Sequence, residues 1–414
     1  MDRPVRVVGA GFSGLTTSYY LRRRELHVEL FEAQARPGGM LQTTQTPLGL
    51  VESAANGILC SSSLEEMAKD AGIQLMASGK ESRNRYILRD GSARRWPLSF
   101  WESVCAIWNF IKARFSKLGR APQKFETIAN WGTRVLGAPL TERMMAPALQ
   151  GIYAGDHKRL SASLIVGRFF ESKPKVKGPA PRFSGTVAPA GGMGEFAVKL
   201  RNRLVAEGVI YKSGQTVTAE DVLRWKAEGS DVVIALPAPA AAELVKTFAP
   251  KLAEKLSRIE MIPIVTVTMF YPSEAARLRG FGCLIPRNAG FTVLGVLFNN
   301  FIFPGRAKGH SETWIFGEKG SSDTELLARI QRERRELYKG IDDEPVDHKI
   351  TRWPAALPHY TVELEKLLPD IMAEAKAAGI YLMGNYLGSL GLGRILVKAQ
   401  ETAAAVYASQ IEEA

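Results

Sequence analysis

The stretch that decides the fold is Val5-Arg6-Val7-Val8-Gly9-Ala10-Gly11-Phe12-Ser13-Gly14, in which a short β-branched run leads into the pattern G-x-G-x-x-G. Gly9 permits a tight turn out of the strand, Gly11 lets the backbone approach a pyrophosphate, and Gly14 lets the next helix pack closely. A helix is predicted over 15–24 and a second strand over 27–31, followed by Glu32, whose carboxylate suits ribose hydroxyls. These residues predict a βαβ dinucleotide-binding unit.

The segment after Glu32 distinguishes between two cofactors. It has the pattern Glu32-Ala33-x-x-Arg36-x-Gly38-Gly39. An arginine and two glycines just beyond the ribose-binding acid suit a second pass of backbone along a diphosphate, which NAD enzymes do not generally need, so we expect FAD. Glycine-rich turns at 190–194 and 384–393 each precede a predicted helix, whose positive end would stabilise reduced flavin. Taken alone, each turn is equally well explained as an ordinary loop.

Length and composition set further limits. A chain of 414 residues, 46% hydrophobic and 23% charged, is expected to form two or three domains. Its three cysteines (Cys60, Cys105 and Cys283) form no C-x-x-C pair, which argues against a zinc site or disulfide framework and favours a reducing compartment. We expect no targeting peptide, because no cationic region followed by an apolar stretch precedes the first strand. We also expect no membrane-spanning helix, because no apolar window reaches about 18 residues.

The positive charge is concentrated in one segment. The chain carries a net charge of +12, and residues 80–182 contain 20 Lys or Arg against 7 Asp or Glu. Within this segment large apolar residues recur at helical spacing, with cations at the C-terminal end: Trp101, Val104, Cys105, Trp108, Ile111, Phe115 and Leu118, then Lys112, Arg114, Lys117 and Arg120. Such a helix suits the surface of an anionic membrane, although a buried aromatic stripe with solvated charges remains an alternative. No nucleic-acid-binding signature accompanies it.

Several stretches beyond the first turn carry a family resemblance. They are Asn84-Arg85-Tyr86-Ile87, Gly151-Ile152-Tyr153-Ala154-Gly155-Asp156, Gly280-Phe281-Gly282-Cys283-Leu284-Ile285-Pro286, Leu294-Gly295-Val296-Leu297-Phe298, Leu357-Pro358-His359-Tyr360 and the closing turn from Gly384 to Gly393. With Val5–Gly14, Glu32 and Arg36–Gly39, they resemble the FAD-dependent amine oxidase and phytoene desaturase superfamily and, within it, the protoporphyrinogen oxidase family. That resemblance implies oxidation of protoporphyrinogen IX to protoporphyrin IX, with six electrons passing to FAD in three steps and FAD reoxidised by O₂.

The expected fold is α/β, with a Rossmann-like FAD-binding domain, a mixed-sheet substrate domain and an α-helical membrane-associating insertion. Strands are predicted over 263–271, 291–303 and 313–316, and a hairpin is predicted around Asp90-Gly91. The expected boundaries are 1–82, 184–258 and 351–414 for the FAD-binding domain, 83–96 and 259–350 for the substrate domain, and 97–183 for the helical insertion.

The resemblance assigns a binding role to five residues of the substrate domain and insertion. Arg85 would hold a propionate, with Arg83 and Arg89 as neighbours able to do the same. Leu284, Leu297 and Ile315 would contact the macrocycle, with Phe316 as the alternative to Ile315, and Gly151 would leave room beside the ring. Without the resemblance, the four apolar positions would be interpreted as core.

The resemblance also assigns residues around the cofactor: Gly9, Ala10, Gly11, Phe12, Ser13, Gly14, Glu32, Ala33, Arg36, Gly38, Gly39, Ala54, Ala55, Asn56, Gly57, Val217, Trp353, Leu390, Gly391 and Leu392. The five histidines are scattered, so we predict no metal site and assign no catalytic base. Pyrrole protons can leave to water, and the protein would then orient the substrate and exclude solvent.

The resemblance extends to partners and location. It implies a porphyrinogen substrate, O₂, a membrane surface with anionic lipid, ferrochelatase and a second copy of the chain as partners, with no nucleic acid. The expected location is peripheral and monotopic on the cytoplasmic side of a bacterial-type membrane. Alternatives are oxidation of coproporphyrinogen III, which has four carboxylates, an amine oxidase or carotenoid desaturase activity, and a non-catalytic flavin-binding membrane partner.

Overall fold

The strands build four sheets in the computed structural model, which describes residues 3–170, 180–388 and 390–412. Two large sheets organise the molecule, and two small ones lie beside them. In chain order the strands are β1 (Val5–Val8), β2 (Val28–Glu32), β3 (Thr43–Thr46), β4 (Gly49–Glu52), β5 (Ile58–Leu59), β6 (Leu75–Ala77), β7 (Arg85–Arg89), β8 (Ser92–Arg94), β9 (Thr186–Pro189), β10 (Ile210–Ser213), β11 (Asp231–Ile234), β12 (Met261–Tyr271), β13 (Gly282–Leu284), β14 (Gly295–Phe298), β15 (His310–Phe316), β16 (Asp347–Pro358) and β17 (Tyr381–Leu382).

Helices cover the large sheets and form the middle segment. In chain order they are α1 (Phe12–Arg22), α2 (Ser62–Asp70), α3 (Phe100–Phe115), α4 (Ile128–Leu136), α5 (Ala138–Leu140), α6 (Ala146–Tyr153), α7 (Ala162–Val166), α8 (Met193–Ala206), α9 (Ala219–Ala227), α10 (Ala238–Val245), α11 (Pro250–Ser257), α12 (Asn299–Ile302), α13 (Asp323–Leu337), α14 (Val362–Ala377) and α15 (Leu392–Glu412). A π-helical turn, Thr141–Met145, joins α5 to α6.

The first large sheet has five parallel strands in the order β10-β2-β1-β11-β17. Its apolar strands are buried on both faces, which is what a parallel sheet covered by helices requires. Residues of α1, α8 and α15 pack against one face, and residues of α9, α10, α11 and α14 pack against the other. The predicted βαβ unit is therefore present, within a sheet assembled from distant parts of the chain.

The second large sheet is mixed and has seven strands in the order β16-β12-β15-β14-β13-β7-β8. Only the β7–β13 pair is parallel among these described strands. One face packs against α13 through residues such as Val267, Trp314 and Leu326. On the other face, Leu297 and Phe281 pack against the core of the first domain. The sheet thus stands between α13 and the nucleotide-binding domain.

Two expectations about this sheet are wrong. The boundary expected between 350 and 351 falls inside β16, which stays paired with β12 as far as Pro358. The strand expected over 291–303 is only Gly295–Phe298, and Asn299–Ile302 is helical. The Asn299 amide donates to Ser311 and Thr313 of the neighbouring strand, which turns the chain at this point.

A buried ionic cluster lies behind the second sheet. The Glu312 carboxylate is fully buried and accepts hydrogen bonds from the Tyr338 hydroxyl at 2.8 Å and the Arg334 guanidinium at 3.2 Å. The His310 ring lies 3.0 Å away. Burial alone would raise the pKa of Glu312, but the contacts with His310 and Arg334 outweigh it and hold that pKa below its usual range.

The middle segment contains helices up to residue 169, as predicted, while residues 171–179 lie outside the part of the chain that the structure describes. Helix α3 is the most exposed apolar element of the described part. A capping box between Ser99 and Glu102 starts α3. Of this helix, Ala106 and Ala113 are buried, whereas Trp101 is 73% and Phe115 82% exposed. The alternative in which the aromatic stripe is core is therefore wrong. No helix within the described ranges is long and apolar enough to cross a bilayer.

Candidate functional site

The first glycine turn has the geometry that its sequence predicts. Gly9 has φ of +98°, which favours glycine. A Cβ on Gly14 would lie 1.8 Å from the Gly9 carbonyl oxygen, so only glycine lets α1 pack this closely. A Cβ on Gly11 would meet only the Gly39 Cα, at 4.0 Å. The backbone of Gly11 is thus open to a ligand between the two glycine loops.

Glu32 lies beside this turn at the end of β2. Its carboxylate accepts the Ala10 N–H at 2.9 Å and the Gln34 N–H at 2.9 Å, which fixes its orientation. A cavity of about 490 Å³ adjoins it and is lined by residues from four segments: Val8, Gly9, Glu32, Ala33, Val217 and Leu236 among them. Apolar walls beside an oriented carboxylate fit an adenine and its ribose.

The second glycine loop lies directly against the first. Gly38 donates its N–H to the Ala10 carbonyl at 2.7 Å, and Gly38 and Gly39 have φ of +107° and +57°. The Arg36 guanidinium donates to the Gly39 carbonyl at 3.1 Å, and its burial lowers the pKa of Arg36. The two loops together present backbone and one cation along a single groove, which suits a diphosphate.

Two further parts of the assigned cofactor site, Trp353 and the loop at 54–57, are joined by a hydrogen bond. The Trp353 indole N–H donates to the Ser53 carbonyl at 2.8 Å, and this contact joins β16 to the loop of Ala54, Ala55, Asn56 and Gly57. Trp353, Ile315 and Met40 pack in one small cluster. The loop is thus held where the mixed sheet faces the nucleotide-binding domain.

The turn at 190–194 does not leave an open helix end. Met193 donates its N–H to Glu52 at 2.9 Å, Gly194 donates to the Thr43 hydroxyl at 2.9 Å, and Gly191 donates to Glu195 at 2.8 Å. The side chains of Glu52, Thr43 and Glu195 therefore accept hydrogen bonds from the N–H groups that a flavin at this turn would need. The interpretation of this turn as an anion site is therefore wrong, and its glycines serve close packing instead.

The C-terminal turn returns the chain to the first domain. Leu392 begins α15 and packs against the core that contains α1, while Leu390 packs on the opposite side of the sheet. A Cβ on Gly391 would meet no atom within 4 Å. Ser389 lies outside the described residues. The start of α15 thus has open space beside it near the assigned cofactor positions.

The residues assigned to substrate share one face of the mixed sheet. Gly282 pairs with both Arg85 and Leu297, and Gly295 pairs with both Leu284 and Ile315. Directly paired residues project to the same face, and so do residues two apart on one strand. Arg85, Leu284, Leu297 and Ile315 therefore form one surface that faces the nucleotide-binding domain. Phe316 projects to the other face and is fully buried there, which excludes it as the alternative to Ile315.

Gly151 covers part of this surface from the helical insertion. A Cβ built on Gly151 would lie 2.2 Å from the Leu284 Cδ2 atom. The glycine of α6 is thus packed against one of the apolar residues assigned to substrate, although 133 positions separate them in the sequence. The small residue sets how far α6 stands from the sheet.

Arg85 is exposed at the open end of the surface. Its guanidinium lies over the Phe281 ring, 4.8 Å from the centroid. Arg89 is a poorer candidate for a ligand contact, because it already donates to Glu102 at 3.1 Å and lies 3.3 Å from Asp90. Arg85 makes no ion pair with any residue that the structure describes, so its fork is available to a carboxylate.

Histidines provide no general base on this surface. His310 is buried behind the sheet with Glu312, and His27 and His348 are exposed. His157 lies in the helical insertion, where its ring is 2.9 Å from the Glu142 carboxylate. His359 is buried next to Gly155, and its burial lowers its pKa. No group of His, Cys, Asp and Glu within the described ranges could hold a metal ion. The arrangement supports binding and orientation rather than proton transfer by a histidine.

Two residues at the site were missed from the sequence. Phe281 stacks under Arg85, and its place between two glycines of a quoted motif could have indicated a contact. Arg306 is 9% exposed and touches the assigned cofactor loop. It stands alone between Gly305 and Ala307, so nothing in its sequence context predicts burial.

Several known proteins resemble this chain in sequence or in fold. Protoporphyrinogen oxidase of Nicotiana tabacum chloroplasts is 27% identical over 97% of this chain and 84% of its own. Coproporphyrinogen III oxidase of Bacillus subtilis is 21% identical over 94% of both chains. A crystal structure from Exiguobacterium sp. 255-15, provisionally named a protoporphyrinogen oxidase, aligns over 99% of both chains with a TM-score of 0.76 and 18% identity, which shows a shared fold. The family described as flavin containing amine oxidoreductase matches residues 12–405. The chain therefore belongs to the flavin-containing amine oxidoreductase family, and its cofactor is FAD.

Proposed function

We propose that this FAD-dependent oxidoreductase oxidises protoporphyrinogen IX to protoporphyrin IX in haem biosynthesis. The observation that carries the proposal is the single surface formed by Arg85, Leu284, Leu297 and Ile315, covered at Gly151 by α6. An apolar macrocycle with two propionates needs such a surface with a cation at its edge. The relatives named above act on porphyrinogens, which supports the same substrate class.

Each side chain has a defined part in this proposal. The three aliphatic residues hold the macrocycle, and Arg85, stacked on Phe281, binds a propionate bidentately. The turn at Gly9–Gly14, Glu32 and the loop at Arg36–Gly39 would hold FAD, which would supply hydride acceptance for each two-electron oxidation and reoxidation by O₂ to give H₂O₂. The protein would contribute orientation and exclusion of water at a surface that α6 covers in part through its packing on Leu284.

Porphyrin fluorescence tests this function directly. The purified FAD-loaded protein should convert protoporphyrinogen IX to fluorescent protoporphyrin IX in air. Arg85→Ala should raise the KM by about tenfold or more, since a charge-assisted hydrogen bond contributes about 1.5–3 kcal/mol. Arg203→Ala, at an exposed arginine of α8 outside this surface, is the control and should leave KM within about twofold. Flavin-loaded protein that forms no fluorescent product would contradict the proposal.

Coproporphyrinogen III is the second candidate substrate, and Arg94 favours it. Arg94 pairs with Ile87 in the β7–β8 hairpin, so it projects to the same face as Arg85. It makes no ion pair within the described part of the chain. Two free arginines on this face would suit a substrate with four carboxylates. Turnover of both porphyrinogens by the wild type and by Arg94→Ala distinguishes the two, because a selective loss on coproporphyrinogen III would favour this substrate.

We also propose that α3 contacts a membrane surface. Its exposed apolar residues are Phe100, Trp101, Val104, Ile107, Trp108, Phe110, Ile111 and Phe115, and Lys112 and Arg114 lie in its last turn. Aromatic residues beside cations suit an anionic interface. In liposome flotation at low salt, the protein should float with anionic vesicles, and W101S/W108S should float less. Ile411→Ser, at an exposed apolar residue of α15, is the control. Protein that stays in the soluble fraction would exclude membrane contact.

The expected location of the protein and its expected protein partners are also proposals. A protein bound through α3 would be peripheral and monotopic, on the cytoplasmic side of the membrane. Ferrochelatase and a second copy of the chain are the protein partners that the resemblance implies. Co-flotation with ferrochelatase and light scattering of the detergent-free protein would test these two associations.

A further inference from the structure

We propose that Arg306 is a positioning residue that fixes the flavin-binding loop against the mixed sheet, so that one buried guanidinium couples FAD binding to the docking of the substrate domain. The inference rests on the assignment of Ala54–Gly57 to the cofactor and is independent of which porphyrinogen is oxidised. Its starting point is the burial of Arg306 in the loop between α12 and β15. A buried arginine without partners would be costly, so its contacts reveal what it holds in place.

The guanidinium joins three segments. Its Nη1 donates to the Asn56 carbonyl at 3.3 Å and lies 3.3 Å from the Glu52 carboxylate, while its Nη2 donates to the Pro189 carbonyl at 2.5 Å. Asn56 belongs to the assigned cofactor loop, Glu52 ends the β3–β4 hairpin, and Pro189 ends β9. A planar fork that reaches a carboxylate and two carbonyls holds all three at fixed separations.

Glu52 extends this network on the opposite side. Its carboxylate accepts the Thr43 hydroxyl at 2.7 Å and the Met193 N–H at 2.9 Å. Burial raises the pKa of Glu52, and burial likewise lowers the pKa of Arg306, although each charge favours the ionised form of the other. Breaking such a pair leaves one buried charge without compensation. The pair therefore resists separation of the hairpin from the loop that carries Arg306.

The backbone around Arg306 is fitted as closely as its side chain. Leu50 donates its N–H to the Arg306 carbonyl at 2.8 Å, and a Cβ on Gly49 would lie 2.5 Å from that oxygen. The guanidinium lies over the Phe303 ring at 4.3 Å, and a Cβ on Gly57 would lie 2.9 Å from the same ring. Arg306 and Phe303 thus support the cofactor loop at both Asn56 and Gly57.

One donor of Arg306 remains unused. The Nε atom is buried and has no hydrogen-bond partner among the residues that the structure describes. Buried donors are nearly always paired, so an unpaired one marks a place where a bound group or an ordered water completes the site. Since Arg306 lies beside the assigned cofactor loop, a bound group or an ordered water at that loop could complete the network.

Flavin release from the holoprotein tests the inference. FAD fluoresces more strongly when released, so dilution of the purified yellow protein gives the FAD Kd without any substrate. Arg306→Met should raise that Kd at least tenfold and alter the visible absorption spectrum of the remaining bound flavin. Arg306→Lys keeps the charge but cannot reach three acceptors together, so we expect an intermediate Kd. Arg203→Met, which removes an exposed pair with Glu207, is the control and should match the wild type.

The outcomes separate positioning from general stability. Far-UV circular dichroism identifies the temperature range in which each variant is folded, and the Kd is measured there. A higher Kd with a changed flavin spectrum in a folded variant supports the inference. If Arg306→Met does not fold, the FAD Kd and the flavin absorption spectrum of Arg306→Lys test the inference instead. Wild-type Kd and spectrum in a folded Arg306 variant would overturn it. If the wild-type protein binds FAD but oxidises no porphyrinogen, that result would contradict the proposed function and would leave the inference about Arg306 standing.

Discussion

Gly151→Ala is the substitution whose effect follows most directly from the structure. The new Cβ would lie 2.2 Å from the Leu284 Cδ2 atom and 3.6 Å from its Cγ atom. Only the end of a flexible side chain is in the way, so Leu284 must retreat by about 1.2 Å to reach ordinary van der Waals separation. The backbone of α6 can stay in place, and the displaced methyl group moves across the proposed substrate surface.

The expected effect on stability is small because two contributions oppose each other. Overpacking costs about 1–3 kcal/mol. Alanine in place of glycine inside a helix stabilises it by about 1 kcal/mol. The free energy of unfolding should therefore fall by no more than about 2 kcal/mol. The KM for the porphyrinogen should rise by about tenfold, which corresponds to about 1.4 kcal/mol of lost binding.

A second substitution tests the cause. Leu284→Val removes the clashing Cδ2 atom while keeping an apolar side chain, so G151A/L284V should have a lower KM than G151A alone. We expect a coupling energy of about 1 kcal/mol between the two positions. The assay is initial-rate porphyrin fluorescence with flavin-saturated protein, alongside urea unfolding. A wild-type KM for G151A, or additive effects in the double variant, would refute the proposed contact between α6 and the substrate surface.

Three further predictions concern Glu32 in the nucleotide-binding unit and the buried ionic cluster of Glu312 and Arg334. Glu32→Ala should raise the FAD Kd by about tenfold or more, as measured by flavin fluorescence, whereas Glu29→Ala on the same strand should not. Arg334→Met leaves Glu312 buried with one fewer partner and should lower the unfolding free energy in urea by about 3–5 kcal/mol. The exposed control Arg203→Met should change it by no more than about 0.5 kcal/mol. Because the folded pKa of Glu312 is lowered, its stabilisation is complete above the unfolded glutamate pKa of about 4.3 and is lost as pH falls below that value. Unfolding free energy measured from pH 6 to pH 3 should fall less steeply in Glu312→Gln, and equal slopes would contradict this.

The sequence was most informative where the chemistry is local. Gly9, Gly14 and Glu32 act within one βαβ unit, whose turn and packing depend on residues close together in the chain. That unit could be predicted, together with the helical character of the middle segment and the Asp90-Gly91 hairpin. The family resemblance supplied the substrate residues, which composition and periodicity alone would have assigned to the core.

Tertiary structure decided whatever depends on distant segments. Strand register placed Ile315 rather than Phe316 on the substrate face, since neighbours along a strand point to opposite sides of a sheet. The turn at 190–194 resembles an open anion site in sequence, but Glu52 and Thr43 use its N–H groups. Periodicity alone could not tell an exposed aromatic stripe on α3 from a buried one, because the same spacing serves both.

The sequence by itself thus determined the dinucleotide-binding unit, because a glycine turn, its strand and its helix interact over short chain distances. The burial of Arg306 and the contact of Gly151 with Leu284 depended on the tertiary structure, because their partners lie more than 100 residues away. The packing of the mixed sheet against the nucleotide-binding domain brings Arg306 to its partners, and the packing of α6 on that sheet brings Gly151 to Leu284. These two packing contacts together define the site.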